Sequence, residues 1–144
     1  MQAQRIRTKF RFTTRDLGAG TARQLMRHKN QAVAAMRAIR NYCIKETKRR
    51  TPLKEGFLTA SVTGDVETFE KSYAATVYIP VNSPASHYAV KMHETEYNLG
   101  PNSLAKQQKV GVVVGPKYIT RAILDNKESI NKIIWAALDK ANKI

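Results

Sequence analysis

The chain has one cysteine, Cys43, which excludes an intrachain disulfide framework and a multi-cysteine zinc site and suits a reducing cytoplasm. Long apolar runs are missing too. The longest, at 112–114 and 133–138, fall far short of the roughly 20 residues of a membrane span. The basic stretch 1–15 has no apolar centre, so no secretory signal is expected. Histidine is scarce: His28, His87 and His93 are the only ones, and no H-E-x-x-H helix motif brings two of them together. There is no G-x-S-x-G elbow and no P-loop, and Gly111 and Gly115 are too sparse to cradle a phosphate. Glu94 and Glu96 are the nearest thing to paired carboxylates, without an apolar setting to split their pKa values. Catalysis, a metal and a cofactor are therefore not expected. Acids are few as well, 11 against 25 Lys and Arg, for a net charge of +14.

What is present is enough for one domain. A chain of 144 residues buries roughly 68–70% of its unfolded surface, so a core forms without disulfides. Apolar residues make up 42% and charged residues 25%, a globular balance. The positive charge is concentrated. The first 54 residues hold 15 of the basic residues and 2 of the acids, a net +13, and the remainder carries +1. Such a segment points to a polyanionic neighbour, nucleic acid or an acidic protein surface, or to a solvated face.

Residues 5–13 alternate strictly. Arg5, Arg7, Lys9 and Arg11 share one face, Ile6, Thr8, Phe10 and Phe12 the other. Period two predicts a half-buried strand, and a row of cations suits an edge position. From Thr21 to about Arg50 there is no Pro or Gly, and apolar residues recur at three- and four-residue steps. That predicts a long amphipathic helix over 21–50 with Cys43 on its buried stripe. Thr51-Pro52 ends it. Within 57–81 two short strands are expected, 57–66 and 72–81, with Gly56 supplying a positive φ in the turn before them. Leu58, Ala60 and Val62 would then face the core. Residues 87–94 suit a short helix about as well as a strand. The polar stretch 95–109 reads as a loop anchored by Tyr97 and Leu99. A brief strand is expected at 110–114. A helix over 116–142 opens with Pro116 in its first turn, and 125–129 offers a point at which it divides. The sum is an α+β domain: a small antiparallel sheet with a long helix and a C-terminal helix packed on it.

Three segments, in this order, resemble the family of tailed-bacteriophage head–tail joining proteins, the tail-completion or neck proteins that include the lambda minor tail protein Z type. The first is Thr51-Pro52-Leu53-Lys54-Glu55-Gly56-Phe57-Leu58-Thr59-Ala60-Ser61, the second Tyr88-Ala89-Val90-Lys91-Met92-His93-Glu94, the third Gly115-Pro116-Lys117-Tyr118-Ile119-Thr120-Arg121-Ala122-Ile123. The likeness covers about 20–142. Two departures stand out: Lys54-Glu55 in the Pro-to-Gly stretch, and Gly100 six residues after Glu94 where the family has Gly close behind.

The resemblance implies a structural virion protein with no catalytic role. Made in the bacterial host cytoplasm, it would form a ring, usually a hexamer, in the neck. Its neighbours would be a head-side connector and tail-side terminator or tube proteins, DNA would pass through the centre, and no membrane would be involved. The competing reading of the charge is a small basic nucleic-acid-binding module. Arg5, Arg7, Lys9, Arg11, Arg49, Arg50, Tyr97 and Leu99 are the expected interface residues, and Pro52 and Gly56 the expected structural turn. Most of the basic side chains are expected to face neighbouring protein or solvent, since a strongly cationic channel would hold DNA that must slide.

Overall fold

The computed structural model describes residues 9–13, 27–53, 56–69 and 73–142. The three- and four-residue spacing of Ala32, Ala35, Met36, Ile39 and Cys43 builds its central element, helix α1 (Lys29–Arg50), and these five side chains form its buried stripe. Positions 14–26, including the expected first turns of this helix, lie outside the described residues. Lys48, Arg49 and Arg50 fill the last turn, where cations complement the helix dipole.

One side of α1 carries an antiparallel sheet of three strands, β1 (Lys9–Thr13), β2 (Thr63–Thr68) and β3 (Tyr73–Tyr78), in the order β1-β3-β2. β3 is the central strand, and Tyr73 through Val77 are buried whichever face they point to. Gly64 is what brings β2 close. A Cβ there would lie 2.6 Å from the Thr76 carbonyl oxygen and 3.0 Å from Cγ of Arg40 on α1. Elsewhere α1 packs on two C-terminal helices, α5 (Tyr118–Leu124) and α6 (Lys127–Asn142). Ile119, Ile123, Ile130 and Ile134 join Met36, Ile39 and Val77 in one core. Each fully buried side chain of this kind contributes about 1.5–3 kcal/mol through apolar burial. The α+β architecture is the one the sequence predicts.

Between these elements stand three shorter helices: α2 (Phe57–Ser61), α3 (Ser86–Glu94) and α4 (Pro101–Val110). Two overturn expectations. Residues 57–61 are helical, so the first strand begins only at Thr63. Leu58 in the helix and Val62, the extended residue just after it, are buried, while Ala60 is exposed. The stretch 95–109 is no loop from 101 onward. Gly100 precedes Pro101 at the first turn, and Gly111, at φ 76°, closes the helix by donating its N–H to the Gln107 carbonyl. No strand forms at 111–114. The last helix divides at Asp125 and Asn126, and its first part opens at Tyr118, after Lys117.

Candidate functional site

Two of the three segments that carry the family resemblance, 88–94 and 115–123, are far apart in sequence and adjacent in space, and 115–123 also meets the end of α1 just before the first segment. Gly115 donates its N–H to the Arg50 carbonyl at 2.9 Å, and Lys117 donates its N–H to the His93 carbonyl at 2.7 Å. The Tyr118 hydroxyl, fully buried, donates to the Ala89 carbonyl at 2.7 Å. Its ring meets the His93 imidazole edge to face, with centroids 4.7 Å apart. The end of α1, the body of α3 and the entry to α5 thus form one knot.

Lys117 sits at φ 59°, the sole non-glycine in the left-handed region among the described residues, which costs about 1–2 kcal/mol. Its side chain pairs with Glu94, so the strained turn is tied to α3 by backbone and side chain alike. Glu94 also faces Nδ1 of His93 at 3.1 Å. The hydrogen bonds from Lys117 and His93 hold the Glu94 carboxyl below the usual carboxylate value. Burial pushes the His93 imidazole down, against the pull of Glu94. Its Nε2 is buried without a hydrogen-bond partner. Among the described residues no group of three His, Cys, Asp or Glu side chains is placed to hold a metal ion.

A second unit forms around α4, whose inward face is polar. Ser103 Oγ accepts the Leu53 N–H at 2.8 Å, and Gln107 Oε1 accepts the Val114 N–H at 2.9 Å. Between them the Lys106 amine reaches the Lys48 carbonyl at 2.6 Å, the Thr51 carbonyl at 2.8 Å, and the hydroxyls of Thr51 and Thr59 at 3.0 and 3.2 Å. Burial pushes this amine down to about 8, which leaves it mostly charged at neutral pH. It is the C-terminal cap of α1, supplied from a distant helix. Beside it runs a groove of about 740 Å³ lined by Leu53, Phe57, Tyr88, Met92, Tyr97 and Leu99 among others.

The expected interface residues are scattered. Arg5 and Arg7 lie outside the described residues. Lys9 and Arg11 stand on β1, an edge of the sheet. Tyr97 and Leu99 are half-buried along the groove, the Tyr97 hydroxyl donating to the Met92 carbonyl at 2.8 Å. Gly56 has φ 87° and opens α2 rather than a strand, and Pro52 is buried beside it.

Arg50 is not on the surface. It is 4% exposed and donates to the Glu46 carboxylate at 3.0 Å and to the Glu46 carbonyl at 2.9 Å. Arg49 donates to both Glu46 carboxylate oxygens at 2.9 Å and to the Val110 carbonyl at 2.8 Å. Burial pushes the Glu46 carboxyl up, but its bonds to Arg50 and Arg49 outweigh that and set it below the usual value. Arg50 therefore belongs to the interior of the fold, since a buried carboxylate needs a paired cation, while Arg49 reaches the same carboxylate from the rim with its side chain 35% exposed. By contrast Arg37 and Lys45 are exposed on α1. Cys43 is buried, and burial, with Glu46 nearby, pushes its thiol up to about 12, so it is an inert core residue.

No family model, curated protein or solved structure matches this chain. Among the described residues no helix is long and apolar enough to cross a membrane.

Proposed function

We propose that this chain is a structural subunit of a tailed-phage neck, forming a ring that joins head to tail and lets DNA pass. The observation that carries the reading is the meeting of segments 88–94 and 115–123, through Lys117 on His93 and Tyr118 on Ala89, with Gly115 bonded to Arg50, the residue just before segment 51–61. Motifs that each look like ordinary turn chemistry make sense together as the framework of one fold. A ring of cyclic symmetry also needs two unlike faces, and the sheet has a basic edge and an acidic edge. In this reading the subunit lies between a head-side connector and a tail-side terminator or tube protein, and its partners are proteins.

A second reading, a basic nucleic-acid-binding module, draws on the exposed Arg37 and Lys45 of α1. Native mass spectrometry and labelled antibodies on purified virions separate the two. The neck reading expects closed oligomers and label at the head–tail junction. A monomer that shifts duplex DNA at physiological salt, with affinity falling steeply as salt rises, refutes it in favour of the second.

A further inference from the structure

The two edges of the sheet are matched to each other. Only β3 is paired on both sides, and among the described residues no further strand pairs with the outer edge of β1 or β2. Both edges run antiparallel to β3, so they run parallel to one another. Their charges are opposite. β1 reads Lys9-Phe10-Arg11-Phe12-Thr13 and follows Arg5 and Arg7 in the sequence, whereas β2 reads Thr63-Gly64-Asp65-Val66-Glu67-Thr68.

The register gives these residues matching positions along β3. Arg11 and Asp65 both stand opposite Thr76, Lys9 and Thr63 opposite Tyr78, and Thr13 and Glu67 opposite Ala74. Asp65 is exposed and accepts a hydrogen bond from the Tyr78 hydroxyl at 2.6 Å, which leaves its charge in place. β2 carries neither Lys nor Pro, two devices that commonly protect an exposed edge from pairing.

We propose that the outer edge of β2 receives β1 of a second copy of this chain, joining the sheets of neighbouring subunits in parallel, basic edge on acidic edge. Backbone hydrogen bonds along the edge supply attachment. Charge selects the partner. β1 on β1 would oppose two cationic rows and β2 on β2 two anionic ones, both unfavourable. The contact is therefore head to tail, the kind that closes into a ring or grows as a filament. This inference rests on the ring reading above and names the surface that builds the ring.

Charge reversal tests it on the full chain, with oligomer size measured by native mass spectrometry and light scattering at low and physiological salt. The pair Asp65→Lys and Glu67→Lys makes both edges basic; the pair Lys9→Glu and Arg11→Glu makes both acidic. Each variant alone is expected to raise the subunit dissociation constant roughly tenfold or more. Mixing the two variants restores assembly, since each supplies the edge the other lacks, and only alternating, even-numbered oligomers form. Restoration on mixing also shows that both variants are folded. Oligomers that form equally well in the separate variants overturn the edge pairing and leave the ring reading standing. Variants that stay apart when mixed, while each melts cooperatively like the parent, also overturn it. A parent chain that is monomeric and absent from virions overturns both.

Discussion

Replacing Gly64 by alanine tests how closely β2, β3 and α1 are fitted. In an open strand this change favours folding by about 0.5–1 kcal/mol, because glycine loses more backbone freedom. At Gly64 the sign reverses. The new Cβ would lie 2.6 Å from the Thr76 carbonyl oxygen, about 0.4 Å inside the 3.0 Å that real Cβ atoms respect. That oxygen is backbone of the central strand and cannot swing away. Cγ of Arg40 at 3.0 Å and Cδ1 of Ile44 at 3.3 Å close the other side, though these side chains can yield. Overpacking of this kind costs about 1–3 kcal/mol, which less the backbone gain leaves a net loss of about 1 kcal/mol. For a chain of this size that lowers Tm by roughly 2–4 °C. Gly100→Ala is the control: no atom lies within 4 Å of its Cβ position and its φ is −76°, so its effect should stay within about 0.5 kcal/mol. Gly56→Ala separates strain from crowding. The nearest atom, Cδ1 of Leu53, is 3.9 Å away but φ is 87°, and a left-handed alanine costs about 1–2 kcal/mol. Urea titration of the three variants at a common m value gives the order. If Gly64→Ala is no less stable than Gly100→Ala, the close approach of β2 and β3 does not set this part of the fold.

Other perturbations follow from the buried polar groups. Glu46→Ala leaves the Arg50 guanidinium, 4% exposed, with the backbone carbonyl of residue 46 and, as its remaining anionic partner among the described residues, Asp125 at 3.6 Å; breaking a buried pair in this way costs roughly 3–5 kcal/mol, and a melt within 1 kcal/mol of the parent counts against the ion-pair account. Lys106→Met keeps the side-chain length and removes the cap of α1; charged hydrogen bonds to half-buried oxygens put the loss at about 1–2 kcal/mol, accompanied by faster amide exchange at Thr51 and Thr59, and unchanged exchange would refute the cap. His93 has its folded-state pKa lowered, first by burial, so its contribution to stability is present above the unfolded value of about 6.5 and is lost as pH falls through the folded value. Between pH 7 and 5 the parent should lose stability more steeply than His93→Phe, and parallel curves would show that this imidazole is not the titrating group.

The elements whose apolar residues repeat with a clean period are legible from the order of residues alone. The stripe from Ala32 to Cys43 specifies α1, the β-branched and aromatic run at 73–78 specifies β3, and the alternation at 9–13 specifies an edge strand. The positive φ of Gly56 was legible for the same local reason: a turn that only glycine enters cheaply. Tertiary structure decided the rest. Residues 57–61 are too few for a period to declare itself, and contacts of Leu58 and Thr59 with distant parts of the chain make them helical. α4 escaped notice because it docks through Ser103, Lys106 and Gln107, so its buried face is polar and hydrophobic spacing is blind to it; only Pro101 after Gly100 and the stop at Gly111 announce it. Arg49 and Arg50 read as surface charge because their partner Glu46 lies on the buried side of the same helix, where its burial depends on α5 and α6 packing against it. Local periodicity reports which apolar side chains avoid water. Where a charge or a polar helix ends up depends on acceptors brought together from distant parts of the chain, and only the folded molecule supplies those.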